Sequence, residues 1–350
     1  MEHHGERLRI ALVAPPWYPV PPEGYGGIEL VIYLLAHQLA EAGNEVTVLG
    51  REGGGDDFEM VALSPDEWTE DLGSRDHLAR EAAYVWRAYD LIQRARFDVV
   101  HDHSGYLGLA VASLLDLPAA VVATLHGDLD DADAAFLGSV DERVALVALS
   151  HSQARLVKGV RWAGVVPNAV DLEELTFRED ADDYLLELAR ITPEKGQHVA
   201  IEVARRSGRR LVLAGKVAED AREYFEDEIK PHLGDGVEWV ENVAGGDKAR
   251  LLAGAAGMIF PIAWSEPFGL AMVEAMASGT PVIVTPRGAA LELVEAGVTG
   301  IFGDDVDGLV AGVQRLDQLD RRRCHDRARE RFSPQRMAAA YEDVYRAAMA

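Results

Sequence analysis

A single cysteine, Cys324, leaves no partner for an internal disulfide, so nothing in the sequence asks for an oxidising compartment. It stands in the charged run Arg321-Arg-Arg-Cys-His325, where an incidental thiol is a simpler reading than a reactive one. Positive charge is also scarce. Lys and Arg number 34 against 59 Asp and Glu, a net charge of −25 over 350 residues. Such a surface repels nucleic acid and anionic membranes, so neither is an expected partner. An anionic ligand must then be gripped by particular cations and backbone amides. No long hydrophobic run is present. The most membrane-like stretch, 106–125, is broken by Asp116 and Pro118 and reads as a helix followed by a buried strand, so no stable membrane insertion is expected. Met1-Glu-His-His-Gly-Glu-Arg7 lacks the apolar core of a signal peptide, and the expected location is the cytoplasm. The dinucleotide fingerprint G-x-G-x-x-G does not follow the first strand, which disfavours a nicotinamide dehydrogenase.

What is present is the composition of a soluble globular protein, with 48% hydrophobic and 27% charged residues and length for about two domains. Arg9-Ile-Ala-Leu-Val-Ala14 reads as a strand, a proline-rich loop follows, and Ile28, Val31, Ile32, Leu35 and Leu39 keep helical spacing up to Gly43. Strands are expected at 45–49, 97–103, 119–127, 144–150 and 164–168, with a helix over 77–94. Val166-Pro-Asn-Ala-Val-Asp-Leu-Glu-Glu-Leu175 followed by 176–183 reads as a linker, where charge rises and apolar periodicity is lost. A second set of strands is expected at 184–190, 210–215, 237–240, 257–262 and 281–285. Ser333-Pro334 caps a last helix with Met337, Tyr341, Val344 and Tyr345 on one face. The expected fold class is α/β: two Rossmann-like, doubly wound domains, 1–175 and 176–332, and a terminal helix, 333–350. Two such domains facing each other would enclose a cleft, the common place for a ligand.

The stretch Pro261-Ile-Ala-Trp-Ser-Glu-Pro-Phe-Gly-Leu-Ala-Met-Val-Glu274 is expected to run from strand through loop into a helix opening at Ser265-Glu266-Pro267. Glu266 then sits at a helix mouth and Glu274 two turns further in. They bind a ligand, or one caps the dipole and the other is a solvated helix position. Arg190-Ile-Thr-Pro-Glu-Lys-Gly196 places two cations across a strand-to-helix turn. Arg grips phosphate with two N–H groups and Lys supplies a point charge, which suits a diphosphate leaving group; salt bridges to Glu194 are the plain alternative. Gly26 and Gly27, before the first helix, allow close backbone approach to a ligand or make a tight turn. His126, at a strand end, could donate a hydrogen bond or move a proton, or simply face solvent. His101, Asp102 and His103 alternate faces of a strand, so no metal set is expected from them.

Together these segments resemble the family 4 retaining glycosyltransferases of the GT-B fold. Arg190…Lys195-Gly196, Glu266-Pro-Phe-Gly-Leu…Glu274-Ala-Met-Ala-Ser-Gly-Thr-Pro, Glu292 and Gly297-Val-Thr-Gly300 resemble its nucleotide-sugar half, and Glu266 to Glu274 matches its E-x7-E motif. Tyr25-Gly-Gly-Ile-Glu29, Thr124-Leu-His-Gly127 and Val166-Pro-Asn-Ala-Val-Asp171 resemble its amino-terminal signatures.

The resemblance implies that Arg190 and Lys195 bind the donor diphosphate and assist its departure, and that the Gly27 amide faces a phosphate. It implies that Glu266, with the amides of Phe268, Gly269 and Leu270, holds the donor sugar, that Glu274 holds the ribose, and that His126 lines the sugar site. The donor would be a nucleoside-diphosphate sugar such as a UDP- or GDP-hexose, with no cofactor or metal required. Transfer would go to a hydroxyl by front-face attack with retention, and the terminal helix would cross back to the first domain.

Some positions depart from the family pattern. Ala189 and Ala169 replace usual glycines, and Gly215-Lys216-Val217 adds Lys216 as a further phosphate contact. The loop Arg287-Gly288-Ala-Ala-Leu-Glu292 is also a variant. The acceptor, a small molecule or glycan, is expected on the first domain near Trp17, Tyr18, Tyr106 and Asp128, whose acidic neighbours suit a polar or cationic partner or form a solvated loop. The chain is expected as monomer or homodimer. Two other readings stand beside transfer: a GT-B sugar-nucleotide epimerase working without acceptor, and an idle binding module.

Overall fold

The computed structural model describes residues 7–65, 68, 72, 74–140 and 142–350; the amino-terminal stretch 1–6, for which no leader is expected, lies outside the described residues. Two compact units emerge, Met1–Ala169 with Pro334–Ala350, and Val170–Ser333.

The first unit is built on seven parallel strands: β1 (Arg9–Val13), β2 (Glu45–Gly50), β3 (Glu59–Ala62), β4 (Val99–Asp102), β5 (Ala120–Thr124), β6 (Ala145–Ala148) and β7 (Trp162–Val165). Their order is β3-β2-β1-β4-β5-β6-β7. Ile10, Ala11, Leu12 and Val13 are all fully buried, as expected of a parallel strand covered on both faces. β3 is absent from the sequence expectations because it is a short edge strand with no fully buried residue, so it lacks the apolar run that marks the others. The helix Pro334–Met349 belongs to this unit although it follows the second in sequence. It packs on the Gly27–Glu41 helix, β5 and β7, buries Tyr341 and Tyr345 completely, and is pinned by Asn44 Nδ2 donating to Glu342 at 3.0 Å.

The second unit has six parallel strands: β8 (Tyr184–Leu188), β9 (Arg210–Ala214), β10 (Val237–Val240), β11 (Gly257–Phe260), β12 (Val282–Val284) and β13 (Gly300–Phe302), in the order β10-β9-β8-β11-β12-β13. β13, three residues long, is also missing from the sequence expectations.

The division falls after Ala169, not after residue 175. Val170 N–H donates to the Phe332 carbonyl and Arg329 to the Leu172 carbonyl, which ties 170–172 to the second unit. The later part of the expected linker 166–183 is held too. Asp182 N–H donates to the Gly254 carbonyl at 2.8 Å, and the Arg321 guanidinium donates to the Arg178 carbonyl at 3.0 Å. Cys324 is buried and its thiol is pushed up to about 12 by burial, which removes it as a nucleophile.

Candidate functional site

In a doubly wound sheet the crevice for ligands lies beyond the carboxyl ends of the two central strands from which the chain winds in opposite directions. In the second unit these are β8 and β11. The loop after β8 carries Arg190 and Lys195; the loop after β11 carries Trp264 and Glu266. Glu194 C=O accepts from Ala263 N–H at 2.8 Å, which locks the two loops together. Lys195 Nζ lies 2.6 Å from Glu266 Oε2, and Trp264 Nε1 donates to the same oxygen at 3.1 Å. The ammonium also sits 4.5 Å from the Trp264 ring centroid, a cation–π contact. The side chains of Lys195 and Glu266 are only 12% and 10% exposed, so this is a largely desolvated pair.

Arg190 is exposed and has no ion pair among the described residues, whereas the expected alternative was a salt bridge to Glu194. Ile191 N–H donates to the Lys216 carbonyl at 2.8 Å and bridges Val217, so the loops after β8 and β9 run side by side. Arg190 and exposed Lys216 therefore share one rim. Gly215, between β9 and Lys216, approaches the Ala189 carbonyl so closely that a Cβ would lie 2.0 Å from it.

The expected helix start needs correction. The helix is Leu270–Ala277, and Gly269 precedes it at φ 96°, a left-handed conformation that Gly adopts without strain. Pro267 is therefore not in a first helical turn, and Glu266 lies on the loop ahead of the helix. Phe268 is buried, edge-on to Phe332 with ring centroids 6.0 Å apart. Leu270 is partly exposed, and the remainder of the helix from Met272 onward is buried on every face. Glu274 is among those buried residues, so it is not a solvated position. Lys248, on the helix Gly245–Gly254, meets Glu274 Oε1 at 2.6 Å. Glu292 lies near the loop 286–289, whose Ala289 N–H donates to the Glu266 carbonyl at 2.9 Å.

Lys248 and Trp264 were not singled out from sequence. In a chain poor in lysine, a Lys at a helix start was the available signal for the first; for the second there was only proximity to Glu266. Glu187, on β8, was also unforeseen. It is buried, its two oxygens have no hydrogen-bond partner among the described residues, and burial holds its carboxyl well above the usual range, with Lys195 opposing.

In the first unit the corresponding strands are β1 and β4. Gly26 at φ 149° precedes the Gly27–Glu41 helix. Its Cβ position would lie 3.2 Å from Glu29 Oε2, a buried carboxyl pushed up to about 7 by desolvation. Asp102 turns to one face of the sheet and accepts from Tyr89 OH at 2.6 Å and from Ser104. His101 and His103 share the other face with ring centroids 3.9 Å apart. His103 Nδ1 is 2.9 Å from His126 Nε2, so the strand residues, read separately in sequence, converge with His126. Burial pushes His101 and His103 well down, and the partly exposed His126 to about 4. No group of three His, Cys, Asp or Glu that could hold a metal occurs among the described residues.

The candidate acceptor residues separate. Trp17 is buried and stacked on His77 at 4.5 Å, so its ring is not free to stack on a ligand. Tyr18 is half-buried, edge-on to Tyr25; Tyr106 is exposed and donates to Asp133 at 2.6 Å; Asp128 is exposed.

Two doubly wound units with paired cations and carboxylates at a strand switch point define a GT-B type α/β protein. Residues 173–331 match the family described as "Glycosyl transferases group 1" and residues 25–174 the one described as "Glycosyltransferase Family 4". The chain is 26% identical over 404 residues to a glycogen synthase of Mycobacterium tuberculosis (strain CDC 1551 / Oshkosh), covering 97% of this chain and 95% of that one. It is 27% identical over 364 residues to a D-inositol 3-phosphate glycosyltransferase of Mycobacterium marinum, covering 88% and 77%. The crystal structure of AviGT4, a glycosyltransferase involved in avilamycin A biosynthesis, matches with a TM-score of 0.75 at 29% identity and 98% coverage of both chains. The chain belongs to the family 4 glycosyltransferases of the GT-B fold, and it is a glycosyltransferase. No helix of the described residues is long and apolar enough to cross a membrane.

Proposed function

We propose that the protein transfers a hexose-type sugar, with retention, from a nucleoside-diphosphate sugar to a hydroxyl of a soluble small-molecule or glycan acceptor. The observation that carries this reading is the desolvated Lys195–Glu266 pair at the β8/β11 switch point, with Arg190 unpaired beside it among the described residues.

In the free protein Glu266 neutralises Lys195. An incoming diphosphate competes for that ammonium and adds Arg190, a planar bidentate donor. Lys216, on the same rim, is a further phosphate contact. Glu266, released from Lys195, accepts from hydroxyls of the donor sugar, alongside the amides of Phe268, Gly269 and Leu270. Glu274, buried and held by Lys248, accepts from the ribose. In the first unit, taken by itself, His126 and the Gly27 amide are the candidate sugar and phosphate contacts, and Tyr18, Tyr106 and Asp128 the candidate acceptor contacts.

The bond from the anomeric carbon to the diphosphate oxygen breaks as the acceptor oxygen bonds to that carbon from the same face. The acceptor's proton passes to the leaving phosphate. Arg190, Lys195 and the local amides stabilise the charge that develops there, which is the work a metal would otherwise do. No cofactor or metal is called for, and the cytoplasm is the proposed location. The relatives named above act, by their names, on a glucan and an inositol phosphate, which supports transfer to a polyol or sugar hydroxyl.

Lys195→Ala and Glu266→Ala should each lower kcat/KM at least about 100-fold, the scale of losing a preorganised charge contact in the transition state, while circular dichroism stays native. Full activity in both variants would overturn the proposal. NMR of the donor incubated alone separates the epimerase: interconversion without acceptor would favour that enzyme over a transferase.

A further inference from the structure

We infer that His103 is a positioning residue that fixes the tautomer of His126, so that His126 offers an Nδ1–H donor to a ligand oxygen. The ligand half of this statement rests on the proposed sugar-site role of His126; the tautomer half rests on geometry alone.

A neutral imidazole carries one N–H and one lone pair, and the hydrogen bond made by one nitrogen decides the state of the other. His103 Nδ1 and His126 Nε2 are 2.9 Å apart, and one hydrogen lies between them. Two arrangements satisfy that contact. In the first, His103 donates from Nδ1. Its own Nε2 is then a bare lone pair, and His126 must carry its hydrogen on Nδ1. In the second, His126 donates from Nε2. His103 must then carry its hydrogen on Nε2, and His126 Nδ1 is a lone pair.

The surroundings of His103 distinguish the two. Its Nε2 is buried with no hydrogen-bond partner among the described residues. A buried N–H without an acceptor is rarer than a buried acceptor left unused, and this favours the first arrangement. His101, whose ring lies against that of His103, offers no relief. Its Nδ1 is engaged by Tyr345 OH and its Nε2 by Thr124 Oγ1, each at 2.8 Å. Tyr341 OH, 2.9 Å from Thr124 Oγ1, completes that chain. Burial keeps all three rings neutral near pH 7, so the His103–His126 contact is not bridged by an imidazolium.

The consequence is chemical. With its hydrogen on Nδ1, His126 can donate to an oxygen of the ligand and is not a proton acceptor at that nitrogen. It reads a hydroxyl or carbonyl oxygen, while the acceptor's proton goes elsewhere.

The test is two-bond 1H–15N NMR of histidine-labelled protein, with His126 assigned by its loss in His126→Ala. Ligand-free wild type should show His126 protonated at Nδ1; protonation at Nε2 would overturn the inference. His103→Asn retains an amide N–H near the Nδ1 position and should keep the His126 pattern. His103→Leu removes the donor, should move His126 toward the Nε2–H form, and should lower kcat about tenfold with nucleoside-diphosphate affinity unchanged. An unaltered tautomer in His103→Leu would also overturn the inference. Because the wild-type spectrum needs no turnover, a chain that failed to transfer sugar would sink the proposed function and leave the tautomer assignment standing. An Nδ1–H His126 with undiminished transfer in His103→Leu would refute the ligand half alone.

Discussion

Lys195 and Glu274 are each held by an opposite charge at 2.6 Å, and in the proposed function each turns to the donor. A buried ion pair repays its desolvation only with good geometry, so such pairs are weak contributors to stability. Their value in the proposed function is that the groups wait in place and oriented. Glu29 is the opposite case, a buried acid whose pKa rises to about 7 because burial penalises its charged form. A raised carboxyl pKa means that this group's contribution is fully present below its unfolded value near 4.5 and lost as pH rises through about 7. Glu29→Gln, which cannot ionise, should therefore match wild type in stability near pH 4.5 and exceed it above pH 7 by up to about 3 kcal/mol. Urea denaturation at the two pH values checks this; an advantage that shrinks with rising pH would contradict it. The three neutral histidines act in the other direction. Their lowered pKa values take stability away as pH falls below about 6.5.

Two elements set the geometry of these residues. The loop 286–289 supports the Glu266 loop through Gly288, where a Cβ would lie 2.4 Å from the Glu266 nitrogen and 2.5 Å from its carbonyl oxygen. Neither backbone atom can swing aside as a flexible side chain would. Gly288→Ala should displace Glu266, lower kcat/KM about tenfold or more and cost about 1–3 kcal/mol of stability. Unchanged kinetics in this variant would show that Glu266 is not held from this side. The Pro334–Met349 helix performs the same service for the first unit. Tyr345, fully buried on it, meets His101. Tyr345→Ala should destabilise that unit by about 3–5 kcal/mol through the cavity it leaves. Hydrogen exchange should rise in β5 and β7 while β8 to β13 keep their protection; equal loss in both units would contradict the helix's assignment to the first.

For the whole molecule, a net charge of −25 opposes any anionic substrate, so its few cations matter by placement. Much of this was legible in sequence. Parallel strands buried on both faces announce themselves as apolar runs, which is why β1, β8 and β11 were expected close to where they occur. β3 and β13 were not, because edge and very short strands carry little of that signal. Arg190, Lys195 and Glu266 were legible as charged residues on loops at strand ends, and Glu274 as a carboxylate in the helix that follows. The start of the 270–277 helix was misplaced because Pro267 looked like a first-turn proline, while the positive φ of Gly269 decided the boundary. Lys248 and the meeting of His103 with His126 depend on residues 26 and 23 apart, and Glu187 on burial, which no local pattern encodes.

The most direct measurement of the central proposal is the melting temperature of wild type and Lys195→Ala across UDP, GDP, ADP and TDP. A ligand that binds only the folded state at about 100 times its Kd adds about 2.7 kcal/mol. One nucleoside diphosphate should raise the wild-type melting temperature and leave that of Lys195→Ala nearly unchanged. Four nucleotides without effect on wild type, or an equal rise in both proteins, would contradict a diphosphate site at Arg190 and Lys195.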